Sequence, residues 1–508
     1  MQNKRLQQYF QLNYHWYEAV TPEHPSSIFY AEKSLREYLE QPLTATMAKE
    51  IMDKFADLFA IRLGDNGFAK AAERDVEEDA SNYDAVWVRD AVWIYFYLAA
   101  FAPEQASLLI DKLYTYYQSE AQQARFDDII DNPNLAVDAM AVPHIRFDGN
   151  SKDYADVTID GKTQVWNHRQ MDAHGLFLLA LAHAVENESI AIEKSSLVLL
   201  LNRFSDFFAA IDFSNYEDAG AWEEIERVNT SSVALVTNAL GRWQSLSRKL
   251  NIEITGDMSV LIEQGFKRVK KQLAVGGESP DYAADDLHYR LDDAALLHVM
   301  VPCFLQGLDY EDYERLLNSV EKLIRPHGVI RYQNDSYQCA NFWLVSESQV
   351  ASLTDDSSDE TAFVQRGEKM VKNSEAEWFF DSMIAQSKLA LCRYFPERCD
   401  QERRLQESAW HIKRALAQIT ADNMLSADGN PVGSRRLPES INSVIIENRR
   451  YYLPSPITPL NWARASLALA LRDYIDMASA FSAQKMKKHD KNDELNAHQR
   501  DIDRHKTI

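Results

Sequence analysis

The sequence is poor in glycine and contains no long apolar run. Only 16 of the 508 residues are glycine, which is less than half of the usual share of ~7%. Such a low glycine content argues against a β-sandwich or β-barrel with many tight turns and favours helices. No segment reaches 18 consecutive apolar residues, so the sequence predicts no membrane-spanning helix.

Cysteine is equally rare, and the chain start is not typical of a secreted protein. The four cysteines contain no Cys-x-x-Cys pair, so neither a disulfide framework nor a zinc site is indicated. The first twenty residues hold no apolar stretch of the length that a secretory signal requires, and no small-residue cleavage site. We therefore expect free thiols and a cytoplasmic protein.

Positive charge is outnumbered by negative charge. The chain has 54 Lys and Arg against 77 Asp and Glu, which gives a formal net charge of −23. Such a surface repels phosphate backbones and anionic lipids, so nucleic acid and membrane surfaces are not expected partners. A neutral substrate such as a sugar meets no such penalty, and 46% hydrophobic residues allow a large packed core.

Apolar residues at helical spacing predict about a dozen helices. The stretch 176–184, "LFLLALAHA", is apolar all round, which is typical of a helix buried on every side. Stretch 104–123 has a single apolar face. Such a mixture of buried and amphipathic helices fits two concentric layers, as in an α/α barrel. The predicted helices are 28–40, 44–62, 86–101, 104–123, 168–187, 190–211, 230–249, 257–273, 290–307, 310–324, 375–394, 401–420 and 461–482.

Long connections separate several of these helices. Loops of this length are uncommon in compact domains unless they have a function. Residues 74–80 are predicted to form a solvated acidic loop, and residues 349–360 an exposed mobile segment. The charged stretch from Ala483 onward has almost no large apolar residue, so we predict a frayed tail. The predicted organisation is a helical N-terminal segment (1–80), a barrel (81–482) and a flexible tail (483–508).

Trp, Arg, Asp and Glu concentrate where loops meet predicted buried helices. Polar groups at the mouths of several buried helices would converge on one end of a barrel and form a pocket there. The stretches are "NYDAVWVRDAVW" (82–93), "VWNHRQMDAHGLFLLAL" (165–181), "AWEEIERVNTSSVAL" (221–235), "LPESINS" (437–443) and "LPSPITPLNWARASLALAL" (453–471).

The pair Glu223 and Glu224 suits glycoside hydrolysis. This reaction needs one carboxylic acid to protonate the leaving oxygen and one carboxylate to activate water or attack directly. Crowding two glutamates beside Trp222 is expected to raise one pKa by charge repulsion and desolvation, as a general acid requires. The alternative is an acidic turn that only interacts favourably with the dipole of the following helix.

These stretches resemble glycoside hydrolase family 15, the glucoamylases. They are even more similar to the glucoamylase-like domain of phosphorylase kinase α/β subunits and its bacterial relatives. The resemblance implies an all-α (α/α)6 barrel, or six-hairpin toroid. It also implies inverting hydrolysis of α-glucosidic bonds from a non-reducing end, without a cofactor. The matching pieces are "VWVRD", "VWNHRQMDAHGLFLLALA", "WEE…SSVA", "GVIRYQNDSY" and "LPES…PLNWARASLALAL", over roughly 80–475.

The resemblance also implies roles for individual residues. Glu223 falls at the family's general acid and Glu439 at its general base. Arg89 and Asp90 fall at the clamp on the terminal glucose. The remaining predicted substrate contacts are Trp87, Trp166, Gln170, Asp172, Trp222, Glu224 and Arg331.

Several alternatives stay open at this stage. Three extra residues, "IER", follow the paired glutamates, so Glu226 competes with them, and Glu377 and Glu447 are rival general bases. An alternative function is a regulatory or carbohydrate-sensing domain that kept the barrel without turnover. A purely structural scaffold would instead scatter these stretches over different faces. His168, His174 and His183 are spaced six and nine residues from one another, which does not suit a shared metal, so we predict no metal site.

Overall fold

The structure is a computed structural model that describes residues 2–73, 85–159, 161–344 and 358–505. Residues 159 and 486–505 are described by their backbone alone. The predicted acidic loop at 74–80 and most of the predicted mobile segment at 349–360 lie outside the described residues.

Helices dominate the described chain. The α-helices are α1 (Gln2–Leu12), α2 (Arg36–Leu39), α3 (Ala45–Lys54), α4 (Ala56–Phe59), α5 (Val88–Phe101), α6 (Pro103–Tyr117), α7 (Glu120–Asp131), α8 (Met171–Glu186), α9 (Lys194–Ala210), α10 (Thr230–Leu250), α11 (Met258–Ala274), α12 (Tyr310–Glu321), α13 (Glu360–Glu368), α14 (Asp381–Tyr394), α15 (Gln401–Ala417) and α16 (Asn461–His505). Short 3-10 segments lie at Lys33–Leu35, Pro133–Val137, Gly220–Trp222, Ala294–Val299 and Phe342–Leu344.

The strands are short and pair antiparallel. They are β1 (Tyr17–Thr21) with β2 (His24–Tyr30), β3 (Val86–Trp87) with β4 (Arg146–Phe147), β5 (Thr158–Ile159) with β6 (Lys162–Thr163), and a three-stranded sheet of β7 (Glu377–Trp378), β8 (Ser440–Ile446) and β9 (Arg449–Pro454). Two of these pairings matter for the site, because β3 leads into α5 and β8 directly follows Glu439.

The helices form an (α/α)6 barrel, as the sequence resemblance implied. An inner ring runs through α5, α8, α10, the segment Ala294–Val299, α14 and α16, and α16 closes the ring on α5. The outer layer is α3, α6, α9, α11, α12 and α15, so the N-terminal α3 packs on α16 as part of the barrel. The stretch 176–184 in α8 is buried except for its one half-buried histidine, which confirms the expectation from its all-round apolarity.

The inner helices α8 and α10 approach closely at Gly175. A Cβ atom at this position would lie 2.7 Å from the carbonyl carbon of Leu235 and 2.8 Å from the nitrogen of Val236. Glycine is therefore needed here because any side chain would push the two backbones apart.

The inner elements all begin at one end of the barrel, which we call the amino end. Side chains from different inner elements meet there, as in the ion pair between Arg89 of α5 and Asp172 of α8. The opposite, carboxyl end is formed by the later residues of the same elements. The inner elements begin at Val88, Met171, Thr230, Ala294, Asp381 and Asn461.

Most predicted helices are confirmed, with ends shifted by a few residues, but two are wrong. Residues 28–30, predicted as the start of helix 28–40, belong to strand β2 instead, because Ile28 and Tyr30 are buried while Phe29 between them is only half-buried, the period-two pattern of a strand. The predicted helix 290–307 is reduced to the 3-10 segment Ala294–Val299. Pro302 explains this difference, since it lacks an N–H donor and disfavours helical conformation in the residue before it.

The C-terminal residues also differ from the prediction. Helix α16 continues to His505 instead of fraying at Ala483. The stretch after Ala483 contains no glycine or proline, the two residues that disfavour a helix interior most strongly. Among the described residues, no helix is both long and apolar enough to cross a bilayer.

The expectation of four free thiols is wrong for one pair. Cys392, near the end of α14, is joined to Cys399 by a disulfide across a Cα–Cα distance of 5.2 Å. Cys303 and Cys339 are free. The seven-residue separation of the bonded pair matches no cysteine motif, and only the turn after α14 brings the two side chains together.

Candidate active site

Glu223 occupies a strained backbone position at the amino end. It follows the 3-10 segment Gly220–Trp222 and has left-handed dihedral angles, with φ 55° and ψ 41°. A side chain other than glycine or asparagine in this region costs about 1–2 kcal/mol. Such outliers persist where surrounding contacts hold them, and they cluster at functional sites.

Arg89 is the contact that orients Glu223. Its Nη1 donates to Glu223 Oε1 over 3.4 Å. The other donors of the guanidinium reach Asp172 Oδ2 at 2.6 Å, Gln170 Oε1 at 2.6 Å and the carbonyl oxygen of Gly220 at 3.2 Å. Gln170 and Asp172 are fully buried. In this structure the two predicted sugar contacts therefore hold Arg89 in place.

Burial raises the pKa of Glu223 above its ordinary value. The cations Arg89 and Arg146 oppose this shift, and the charge of Asp172 adds to it. A raised pKa keeps a proton on the carboxyl group closer to neutral pH, which is the state that a general acid needs. The raised pKa agrees with the expectation from the sequence. The expected source of the repulsion was Glu224, whereas in the structure the repelling charge is that of Asp172.

The pKa of the neighbouring Glu224 is shifted in the opposite direction. Burial alone would raise its pKa, but the guanidinium groups of Arg331, Arg290 and Arg227 lower it to about 2. Glu224 Oε1 accepts hydrogen bonds from Arg331 Nη2 at 2.8 Å and from Tyr332 Oη at 2.6 Å. The structure thus separates the pKa values of two adjacent glutamates, which is how environments assign acid and base roles. Glu224 is only 1% exposed, so its carboxylate balances the charges of the arginines around it.

Arg331 lies in an aromatic enclosure beside Glu224. Its guanidinium carbon is 4.9 Å from the ring centre of Tyr337, 5.2 Å from Trp378 and 5.4 Å from Trp222. Asp335 accepts two further hydrogen bonds from Arg331, at 2.7 and 2.8 Å. This arginine is buried and its charge is balanced by Glu224 and Asp335, which helps to fix the rings around it.

Trp222 forms part of the same wall and is half-buried. Its indole Nε1 donates to Asp293 Oδ1 over 2.8 Å, and its ring packs against Phe380 at 5.2 Å. Asp293 also caps the inner 3-10 segment by accepting the amide of Ala295. The orientation of Trp222 is therefore tied to an inner element of the barrel.

Glu439 and Asp90 bring a second and a third carboxyl group to this end. Glu439 is almost buried, and its Oε2 accepts a hydrogen bond from Gln338 Nε2 at 2.6 Å. Burial raises the pKa of Asp90 to about 7, with Arg89 opposing the shift and the charges of Glu223 and Glu439 adding to it. Since both charges act on Asp90, the structure brings all three predicted carboxyl groups into one region.

The rival carboxylates have other surroundings. Glu447 is exposed in the turn of the β8–β9 hairpin. Glu377 is buried, and it accepts the backbone amides of His327 and Gly328 at 2.6 and 3.1 Å, so it anchors a loop. Glu226 pairs with Arg169 and accepts from Asn167 at 2.8 Å, which joins two loops.

Trp87 and Trp166 enclose a residue that the sequence did not single out. The guanidinium carbon of Arg146 is 4.6 Å from the ring centre of Trp87 and 4.2 Å from that of Trp166. Its Nη1 donates to Gln164 over 2.8 Å. Arg146 is opposite Trp87 in the β3–β4 pairing, and a two-residue strand pair gives no sequence pattern that could have identified it.

Two further buried acids were missed, Asp218 and Glu278. Asp218 Oδ2 accepts the amide of Met171 and the hydroxyl of Ser232, both at 2.8 Å, so it joins the starts of α8 and α10. Glu278 accepts the amide of Ser231 at the start of α10. Burial raises the pKa of Asp218 to about 7 and that of Glu278 to about 8.

The three histidines around α8 have separate partners. His168 stacks on His144 with ring centres 3.6 Å apart. His174 Nδ1 is 2.9 Å from Tyr117 Oη, and His183 Nδ1 is 2.9 Å from Tyr95 Oη. Among the described residues, no group of three or more His, Cys, Asp or Glu side chains is placed to hold a metal ion.

Comparison with known sequences gives partial matches. No protein-family model matches the chain. The uncharacterized lipoprotein YgeQ of Escherichia coli (strain K12) is 36% identical over 154 residues, which are 29% of this chain and 58% of YgeQ. The putative protein YgeP of the same organism is 42% identical over 62 residues, 12% of this chain and 63% of YgeP. The chain therefore spans less than two thirds of either relative.

Comparison with solved structures gives matches over most of the chain. A wild-type glycosidase has a TM-score of 0.52 and 17% identity, covering 86% of this chain and 100% of that one. A variant glycosidase in complex with glucose has a TM-score of 0.50, 16% identity and the same coverage. The glucoamylase of Hormoconis resinae has a TM-score of 0.50 and 12% identity, covering 85% of this chain and 73% of its own. The chain thus has a glucoamylase-like fold.

Proposed function

We propose that this chain is an inverting glycoside hydrolase that releases glucose from the non-reducing ends of α-glucans or gluco-oligosaccharides. The observation that supports this most directly is that Glu223, a glutamate with a raised pKa, and a second buried carboxyl group, Glu439, both lie near Asp90 at one end of the barrel. The pKa of Glu223 is raised, and its charge and that of Glu439 both act on Asp90.

In the proposed reaction, Glu223 protonates the glycosidic oxygen of the leaving sugar. Glu439 deprotonates a water molecule that attacks the anomeric carbon from the opposite face. The amide of Gln338 orients Glu439 through its 2.6 Å hydrogen bond. The glycosidic bond breaks as the bond to water forms, and the configuration at the anomeric carbon inverts.

Arg89 and Asp90 are the proposed clamp on the terminal sugar. Gln170 and Asp172 fix the guanidinium of Arg89 from behind, and such rigidity places a substrate hydroxyl accurately. Trp222 and Trp87 are proposed as apolar walls for the sugar rings. That a glycosidase of similar fold was solved in complex with glucose agrees with this choice of substrate. A cytoplasmic location stays a prediction from the sequence.

The test is hydrolysis of maltose, isomaltose, trehalose and longer glucans, with proton NMR of the first product formed. We expect β-glucose to appear first from an α-linked substrate. Glu223→Gln and Glu439→Gln should each lower kcat by roughly 10²–10⁴-fold. Glu447→Gln, on the exposed hairpin turn, is the matched control and should leave kcat unchanged.

Two outcomes would count against the proposal. Turnover that survives Glu223→Gln would show that the acid is another residue. Binding of oligosaccharides without turnover by the unaltered chain would favour the alternative, a regulatory or carbohydrate-sensing domain of the kind found in phosphorylase kinase α/β subunits.

A further inference from the structure

A cavity lies at the carboxyl end of the barrel, away from the candidate active site. Its volume is about 540 Å³, and it is lined by later residues of the same inner helices that begin at the active site. Ala99 of α5 lies ten residues beyond Arg89, which at 1.5 Å per helical residue is about 15 Å along the barrel axis. We call this space the carboxyl-end cavity.

The floor of the carboxyl-end cavity is apolar. It is lined by three buried residues: Leu179 of α8, Leu469 of α16, and Met300, which follows the segment Ala294–Val299. Phe304 stacks on Tyr394 at its edge, with ring centres 4.3 Å apart. The cavity wall as a whole is about as polar as it is apolar, and the volume falls in the range of 300–1,000 Å³ that is usual for small-molecule sites.

The rim of the cavity is positively charged, in contrast to the chain as a whole. Arg242, Arg393 and Arg472 line it together with a single carboxylate, Asp473. Their side chains are 46%, 50% and 37% exposed, so their charges face the opening. In a chain of net charge −23, a surplus of cations around an apolar space is a local exception.

The carboxylates near the rim do not balance these arginines. Asp473 Oδ1 is 2.7 Å from Arg472 Nη2 and 3.8 Å from Arg393 Nη2, so two guanidinium groups share one oxygen. Arg242 pairs with Glu186, which also accepts from Lys249 at 3.1 Å. Each carboxylate therefore serves two cations, and the arginines retain donors for an incoming anion.

The other titratable groups in the cavity suit binding more than chemistry. Burial and the charge of Arg242 lower the pKa of His183, so the imidazole is neutral near pH 7. Burial raises the pKa of the free Cys303 thiol to about 12, so it is not a thiolate. Asn238 and Gln386 add amide groups to the wall.

We propose that the carboxyl-end cavity binds a small organic anion with an apolar body, such as an aromatic or aliphatic carboxylate or sulfonate. The apolar part would occupy the floor between α5, α8 and α16, and the anionic group would bind Arg393 and Arg472. This site is independent of the proposed hydrolase activity, and its test does not use a sugar.

The probes are a matched pair of dyes, anilinonaphthalene sulfonate and its uncharged analogue phenylnaphthylamine, titrated against the folded full chain. We expect saturable binding of the sulfonate with one site per chain, followed by fluorescence and calorimetry. Replacing both Arg393 and Arg472 by Gln should weaken sulfonate binding roughly tenfold or more, while binding of the neutral dye changes less than about twofold. Circular dichroism and thermal unfolding establish that each variant is folded.

A second variant tests the location without removing charge. Gly241 in α10 lines the cavity, and a Cβ built there meets no atom within 4 Å. Gly241→Phe should therefore fill the space without a clash and abolish binding of both dyes. Gly367→Phe is the control, because Gly367 in α13 is equally open but is not among the lining residues. Non-saturable binding, equal loss of both dyes in the arginine variant, or binding that survives Gly241→Phe would each overturn the proposal.

Discussion

The two ends of the barrel differ in how deeply their arginine–carboxylate ion pairs are buried. At the amino end, the pairs Arg89–Asp172 and Arg331–Glu224 are buried almost completely. At the carboxyl end, Arg242 and Arg393 pair with carboxylates while remaining about half exposed. A buried pair is tolerated only when nearly every donor and acceptor is satisfied, whereas an exposed pair is only weakly constrained. The amino end is therefore built as a rigid site, and the carboxyl end leaves its charges free to rearrange.

Helix direction accounts for part of this difference. The inner elements begin at the amino end, where unpaired N–H groups and the positive ends of helix dipoles stabilise carboxylates. The carboxyl end faces the negative ends of these dipoles, which suits arginines such as Arg393 in the last turn of α14. Helix direction thus accounts for Arg393, whereas Arg242 and Arg472 lie well before the ends of α10 and α16 and owe their place at the rim to side-chain packing.

The largest expected contrast comes from removing one carboxylate at each end. Asp172→Ala leaves the buried charge of Arg89 without its main partner, so the free energy of unfolding should fall by about 3–5 kcal/mol. Glu186→Ala removes the exposed partner of Arg242 and should cost only about 0–1 kcal/mol. Urea denaturation followed by circular dichroism measures both changes. Equal losses at the two ends would remove the distinction drawn above.

A pair of glycines compares the packed wall with the cavity wall. Gly175→Ala would force the backbones of α8 and α10 apart and should destabilise the protein by about 1–3 kcal/mol. Gly241→Ala meets no neighbouring atom and improves helix propensity, so it should stabilise by about 0.5–1 kcal/mol. Thermal unfolding measures whether each variant is more or less stable than the unaltered protein. If Gly241→Ala is destabilising, the space beside Gly241 is occupied and the cavity does not extend there.

Backbone strain at Glu223 can be separated from its chemistry. Glu223→Gly and Glu223→Ala both lack the carboxyl group, but only glycine is relaxed at φ 55°. The glycine variant should therefore be more stable than the alanine variant by about 1 kcal/mol. The same comparison at Asn251, which ends α10 with φ 53°, is the control from the carboxyl end. Because Asn251 has nearly the same φ, it should show a gain of similar size, and a glycine variant at Glu223 that is no more stable than the alanine variant would contradict stored strain at the site.

The subtlest prediction concerns the pH profile of the proposed activity. Arg146 lowers the pKa of Glu223, so Arg146→Met should raise that pKa. Since the acid acts in its protonated form, the alkaline limb of kcat/KM should move to higher pH. Arg146→Lys keeps the charge and should leave the limb in place. A limb that moves to lower pH in the Met variant would show that another group controls it.

Some features of the fold and the site could be predicted from the sequence, and others could not. The all-round apolarity of 176–184 identified a buried inner helix, because such a stretch has no face that water could occupy. The polar stretches near the starts of the inner helices predicted that Glu223, Arg89 and Glu439 lie at one end of the barrel, while their roles were implied by the family resemblance and stay predictions. The prediction of helix 290–307 was wrong because Pro302 interrupts the helix despite the apolar pattern. The disulfide between Cys392 and Cys399 could not be predicted because their spacing matches no cysteine motif.

The sequence alone thus determined a helical barrel with its acids and arginines gathered at one end. It could not determine which of Glu223 and Glu224 has the raised pKa and which the lowered one, because the two share almost the same local sequence. The pKa of Glu224 is lowered by Arg331, which is 107 positions away in the sequence. The pKa of Glu223 is raised by its burial beside Arg89. Electrostatic partners and burial are properties of the assembled structure, so the direction of each glutamate's pKa shift was decided only when the chain folded.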